Sequence, residues 1–276
     1  MTKKSILITG CSSGIGYDAA HGLSAQGWRV FATCRAEEDC EKLRAEGLES
    51  FPLDYADEAS ITDALAEVLK RTGGTLDALF NNGAYAQLGA VEDLPRGALR
   101  EIFETNFFGY FDLIRQVLPV MRAQGHGRII NCSSILGFMA IRWRGAYCAT
   151  KFAMEGLTDA LRLELSDSPI HVVLIEPGPI TSSIRKNAIP QFEKWIDWEN
   201  SAHRERYDKQ LRVRLYESSG PDRFELPSSA VTAKLVRALT ARRPRPRYYV
   251  TTPTHIMGFI KRIVPTRLMD WLVQFT

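Results

Sequence analysis

Short apolar runs alternate with amphipathic stretches along the first 180 residues of this 276-residue chain. Ser5–Thr9 (SILIT) is almost wholly apolar and stops at Gly10, the pattern of a strand buried on both faces. Residues 14–26 read as a helix ended by Gly27. Arg29–Cys34 (RVFATC) is a second strand, 37–46 a charged helix closed by Gly47, and 49–53 a third strand. A helix over 57–71, a strand over 76–80 (LDALF), one or two helices within 95–122 and a strand over Gly127–Cys132 (GRIINC) follow. A helix over 146–165 and a sixth strand over 170–175 (IHVVLI) complete the series. Strands separated by helical segments predict one α/β domain, a doubly wound parallel sheet of about seven strands with helices on both faces. The connections should be right-handed crossovers.

After Pro177 the rhythm changes. Residues 181–226 are charged and aromatic, with Phe192, Trp195, Trp198, Tyr207, Tyr216 and Phe224, and read as a lid over a body formed by 1–180. Residues 227–276 add a helix over 227–242, a last strand over 247–250 and an apolar tail, 254–276, punctuated by Lys261, Arg262, Pro265 and Arg267. Hydrophobic residues are 45% and charged residues 24%, as in an ordinary globular domain, which excludes disorder and collagen-like repeats. Five cysteines without a C-x-x-C suit free thiols in a reducing compartment, not a disulfide framework or a zinc ribbon. No metal ligand set is evident. The N-terminus lacks a signal-peptide core and no run approaches 18 apolar residues, so a cytoplasmic protein is expected. The net charge of +3 divides into +9 over 181–276 and −6 over 1–180. The run Arg242-Arg243-Pro244-Arg245-Pro246-Arg247 has no recognition helix or stacking aromatics beside it, so nucleic acid is not an expected partner.

Three constellations carry chemistry. Thr9-Gly10-Cys11-Ser12-Ser13-Gly14-Ile15-Gly16 joins a strand to a helix. Such a turn brings backbone N–H groups and a helix N-terminus to a pyrophosphate, though a tight turn without ligand has the same look. Tyr147 and Lys151 lie four apart on one helix face. An ammonium beside a phenol lowers its pKa toward working pH; a surface Tyr/Lys pair would look alike. Ser134 follows the fifth strand at a carboxyl end, where open α/β sheets bind ligands, or it caps a turn.

Together with Asp54, the pair Asn81–Asn82, Asn106-Phe107-Phe108-Gly109 and Pro177-Gly178, these residues resemble the short-chain dehydrogenase/reductase family over nearly the whole chain. The glycine turn, VFATCR and EPGPI are similar to those of 17β-hydroxysteroid and retinol dehydrogenase-like members, and the tail to a bacterial NADP-dependent aldehyde reductase. The resemblance implies a single Rossmann-fold domain that interconverts a carbonyl and an alcohol. It makes Tyr147 the acid/base, Lys151 the group that lowers the Tyr147 pKa and binds the nicotinamide ribose, Ser134 the substrate-oxygen donor, and Asn106 the holder of a helix kink in the proton relay. Cofactor contact falls to Gly10, Ser12, Ser13, Gly14, Ile15 and Gly16, to Arg35, Asp54, Asn81 and Gly83, to Tyr147 and Lys151, and to Pro177, Gly178 and Ile180. The order Gly83-Ala84 reverses the family's Ala-Gly.

Thr33-Cys34-Arg35 stands where an NAD enzyme carries an acid on the ribose hydroxyls, and Arg35 can pair with a 2′-phosphate, so NADP is favoured over NAD. The lid's aromatic and apolar residues suit a lipophilic aldehyde, ketone or alcohol. A redox-sensing NADP-binding regulator is the alternative from another class, as is an enzyme docked to a membrane surface through 254–276. Packing of that tail on the body or on a second subunit is preferred to lipid. Family members suggest a homodimer or homotetramer through 95–122 and 146–165.

Overall fold

A computed structural model describes residues 3–217 and 220–274. Seven strands form one parallel sheet: β1 (Ser5–Thr9), β2 (Arg29–Cys34), β3 (Glu49–Pro52), β4 (Ala78–Asn81), β5 (Gly127–Cys132), β6 (Ile170–Glu176) and β7 (Arg247–Tyr249). Their order is β3-β2-β1-β4-β5-β6-β7. The order reverses between β1 and β4, which opens a crevice at the carboxyl ends of those strands.

The two-residue period of β1 sorts its side chains to opposite faces. Ile6 and Ile8 join the core under α1 (Gly14–Ala25), α2 (Glu37–Ala45) and α9 (Ser229–Thr240). Leu7 joins the core under α3 (Glu58–Thr72), α5 (Gly109–Gln124) and α6 (Gly145–Glu164). Burial on both faces is why the strands are nearly continuous apolar runs.

The fourth strand begins later than the apolar run suggested. Leu76 is buried but lies outside the ladder, because the Gln124 amide takes both of its backbone groups: Leu76 N donates to Oε1 at 3.0 Å and Nε2 donates to the Leu76 carbonyl at 2.8 Å. The strand ends on Asn81, which lies beside Asn131 of β5. The segment expected as one or two helices is α4 (Arg96–Phe103), a π-helical turn (Glu104–Phe108) and α5.

Beyond β6, Ile180 and Leu226 pair in an isolated parallel bridge, with Thr181 N donating to the Leu226 carbonyl at 3.0 Å. Between them lie α7 (Ile184–Trp195), a 3-10 turn and α8 (Arg204–Arg206), which runs into a π-helical stretch, Tyr207–Glu217. Residues 218–219 of the expected lid, and 275–276 of the tail, lie outside the described residues. In the tail, α10 (Thr252–Ile260) packs Gly258 on Tyr249, where a Cβ would meet the ring at 2.7 Å. Ile256, Phe259 and Ile263 stay exposed, as do Leu268 and Trp271 of α11 (Thr266–Val273). Among the described residues no helix is long and apolar enough to cross a membrane.

Candidate active site

The glycine turn between β1 and α1 is built by close backbone contact. Gly10 has φ +68°, and a Cβ there would sit 2.5 Å from Gly83 Cα. Thr9 holds the other side: its hydroxyl accepts from Asn82 N at 2.9 Å and Gly83 N at 3.1 Å. A Cβ at 83 would itself meet Gly10 N and the Tyr55 ring at 3.3 Å, a tight fit that the glycine of the reversed Gly83-Ala84 order relieves. Gly16 packs the turn, since a Cβ there would strike the Gly10 carbonyl at 2.3 Å. The first turn of α1 has no capping side chain and no acid. Its N–H groups at the carboxyl edge of the sheet suit an anion such as a pyrophosphate.

A buried polar chain runs beneath this turn. Thr9 Oγ1 lies 2.8 Å from the Tyr55 hydroxyl, which donates to Asn81 Oδ1 at 2.6 Å. Asn81 Nδ2 donates to Asn131 Oδ1 at 2.9 Å, and Asn131 Nδ2 to Thr158 Oγ1 of α6 at 3.0 Å. Asn81 has no exposed surface and both ends of its amide are engaged. It braces the sheet, and its neighbour Asn82 meets the cavity. Gly109 lets α5 close on this chain, for a Cβ there would lie 2.4 Å from Tyr55 Cβ.

Tyr147, Ser134 and Lys151 converge where β5 and α6 meet. Ser134 follows the end of β5; its Oγ accepts from Leu136 N at 3.1 Å, and it shares the cavity lining with Tyr147. Lys151 Nζ donates to the Cys132 carbonyl at 2.8 Å and lies 5.7 Å from the centre of the Tyr147 ring. Burial pushes the Tyr147 phenol well above its ordinary value, while the Ser134 hydrogen bond and the Arg144 charge pull it down. Burial lowers Lys151 in turn, and Cys132 and Glu155 oppose that.

Asn106 sits wholly buried in the π-helical turn. Its Nδ2 donates to the Tyr85 carbonyl at 2.9 Å, and its Oδ1 accepts from Tyr85 N at 3.1 Å. One amide therefore clamps one residue's backbone, and the widened turn supplies the room that a regular helix lacks.

These groups open on a cavity of about 700 Å³ at the crevice. Gly10, Ser12, Ser13, Gly14, Ile15 and Gly83 line one end, and Ser134, Tyr147, Lys151, Pro177, Gly178 and Ile180 the other. Arg35 and Asp54 lie outside the lining, near the carboxyl ends of β2 and β3. The lid contributes mostly polar groups, including Ser182, Ser183, Arg185, Asn187 and Asp222. Its aromatics, expected to favour a lipophilic substrate, are mostly spent on packing. Phe192 and Tyr207 are buried against Leu88 and Ile102, and the Tyr207 hydroxyl donates to Asp93 Oδ2 at 2.8 Å. Ile135, Leu136, Ile141 and Ile184 form the apolar wall. Arg144, also on the lining, was missed; an arginine one helical turn before the tyrosine was its only signal in sequence.

The chain matches the short chain dehydrogenase family over residues 4–192. It is 37% identical over 273 residues to an uncharacterized oxidoreductase, YbbO, of Escherichia coli, covering 99% of this chain and 94% of that protein. It is 34% identical to mouse (Mus musculus) retinol dehydrogenase 16, covering 99% and 88%. Among solved structures it is similar to an actinorhodin polyketide ketoreductase variant with NADPH, at 28% identity and a TM-score of 0.72 over 90% and 95% of the two chains.

Proposed function

The chain belongs to the short-chain dehydrogenase/reductase family, an oxidoreductase, and from that premise we propose that it interconverts an aldehyde or ketone and its alcohol using NADP(H). The observation that carries this reading is that Ser134, Tyr147 and Lys151 meet on the wall of one cavity at the crevice. The bound nicotinamide supplies or accepts the hydride. In reduction Ser134 donates to the substrate carbonyl oxygen and Tyr147 delivers a proton to it; in oxidation Tyr147 takes the proton back. Burial keeps Tyr147 a phenol at neutral pH, the form that donates. Ser134 then stabilises the phenolate left behind. Lys151, fixed on the Cys132 carbonyl, is the cation suited to the ribose hydroxyls. Placing proton donor and oxygen donor on one atom is worth about 10²–10⁴-fold in rate.

Two observations favour NADP. Arg35 is exposed at the end of β2 and holds no ion pair among the described residues. The nearby Glu37, which would repel a 2′-phosphate, is bound to Arg44 at 2.5 Å. A regulator of the sensor type needs the cofactor groups but not Ser134, Tyr147 and Lys151 around one cavity with Asn106 buried behind it, so catalysis is the better reading. The apolar wall supports a substrate with a lipophilic body. Exposed Phe108, Phe111 and Phe152 on the helices 95–122 and 146–165 support a homodimer or homotetramer.

NADPH consumption with a panel of aldehydes and ketones tests the function. Tyr147→Phe should lower kcat at least about 10²-fold while NADPH still binds by fluorescence titration. Near wild-type turnover in that variant would overturn the mechanism.

A further inference from the structure

Arg144 immediately precedes α6 as its N-cap, three positions before Tyr147, and both residues line the cavity. Its backbone is set firmly. Trp143 before it has φ +68°, a left-handed conformation that tryptophan rarely adopts. The Trp143 ring rests on Tyr207 with centroids 4.6 Å apart. Arg144 itself pairs with Gly89 in an isolated bridge, and Gly89 N donates to the Trp143 carbonyl at 3.1 Å. This strained, buttressed corner fixes where the arginine leaves the chain.

The guanidinium lines the cavity and is largely withdrawn from water, and burial pulls its pKa down. Arg185 and Arg214 add to that pull by repulsion. Those two have a carboxylate: Asp222 accepts from each at 3.0 Å. Glu225, the other acid on the lining, accepts from Thr181 Oγ1 at 2.6 Å and Asp222 N at 2.7 Å. Three guanidiniums thus face two engaged carboxylates. Among the described residues, no hydrogen bond or ion pair serves the Arg144 side chain. A cation in this position normally has a partner, because withdrawing charge from water is costly unless it is paired.

We propose that Arg144 is a specificity-determining residue that binds a carboxylate on the substrate, so that the enzyme acts on oxo acids and their hydroxy acids. This rests on the oxidoreductase reading above. A planar guanidinium takes a carboxylate through two parallel hydrogen bonds. Arg144 and Tyr147 line the same cavity, so one substrate can carry both the carboxylate and the carbonyl that Tyr147 protonates. The apolar wall of Ile135, Leu136 and Ile141 takes the carbons between them.

The test compares 4-oxobutanoate, 6-oxohexanoate and 4-formylbenzoate with their methyl esters as substrates with NADPH. Wild-type protein should favour at least one acid over its ester by ten-fold or more in kcat/KM. In Arg144→Gln that ratio should fall to near one, chiefly through KM for the acid, and Arg144→Lys should restore part of it. Circular dichroism and NADPH titration check that the variants fold. Preference for the ester in all three pairs overturns the proposal. So does an equal loss on acid and ester through kcat with a displaced pH profile, which would make Arg144 a positioning residue for Tyr147. Turnover of neutral carbonyls without acid preference leaves the oxidoreductase reading standing. Absence of turnover with every carbonyl brings down both.

Discussion

Arg247→Met isolates what holds the catalytic helix against the sheet. Arg247 of β7 reaches three carboxylates: Nη2 lies 3.1 Å from Glu155 and 2.7 Å from Asp159 on α6, and Nε lies 3.0 Å from Glu176 on β6. Arg162 takes the far side of Asp159 at 2.6 Å, and the two arginines hold that carboxyl below its usual range. Two guanidiniums against three carboxylates leave one negative charge in excess, which favours a proton on Glu155 or Glu176. Burial, with repulsion from Asp159, raises Glu155 above the usual carboxyl range, and burial with repulsion from Glu155 pushes Glu176 up to about 9. Glu176 is 0% exposed and Glu155 8%. Removing one partner of a buried pair costs about 3–5 kcal/mol. Uptake of a second proton by the pair softens this, so the lower end, about 3 kcal/mol at pH 7, is expected. At about 2–4 °C per kcal/mol for a domain of this size, Tm falls by roughly 6–12 °C.

The pH dependence follows from the same protons. A carboxyl raised in the folded state keeps a proton that the unfolded chain releases. Its stabilisation is full below the ordinary value of 4.5 and is lost as pH rises toward about 9. The slope is at most about 1.4 kcal/mol per pH unit for each proton. Without Arg247 the pair holds more proton at neutral pH, so the slope steepens. Thermal melts from pH 5 to 9 read both effects. A variant melting within about 2 °C of wild type at pH 7, with an unchanged slope, would refute the charge balance.

Two other substitutions address the site itself. Arg35→Ala should weaken NADPH about ten-fold or more, the value of a charge-assisted hydrogen bond, and leave NADH unchanged; equal affinities before and after would remove the basis for NADP preference. Asn106→Leu leaves the Tyr85 N–H and carbonyl without partners and should cost about 2 kcal/mol in urea unfolding, with kcat reduced. An unaltered unfolding midpoint would show that the amide clamp does not support the π-helical turn.

The sheet was legible because parallel strands buried on both faces are written as continuous apolar runs. Leu76 shows where that rule overreaches: it is apolar because it is buried, yet the Gln124 amide, not a strand, holds its backbone. The Thr9–Tyr55–Asn81–Asn131–Thr158 chain was not legible, since its members lie far apart in sequence and meet only once the sheet is ordered. The same holds for Arg144. Its residue type is plain, but its significance depends on a left-handed Trp143, on Gly89 from another loop, and on Asp222 being taken by two other arginines. The lid's aromatic content was visible, whereas which side of the lid those rings face was not.

The bridge between Ile180 and Leu226 makes the intervening segment a unit with closed ends. Whatever lies between them begins and finishes at adjacent points on the rim, so its length and content do not enter the register of the sheet. The entropic cost of lengthening such a loop is small, about 0.6 kcal/mol for each doubling. The body and the lid can therefore change at different rates: Tyr147, Lys151 and Arg144 are tied to the body, and the lid's share of the cavity lining varies on a cassette. A lid taken from a relative and spliced at residues 180 and 226 should exchange substrate range without rebuilding the cofactor end.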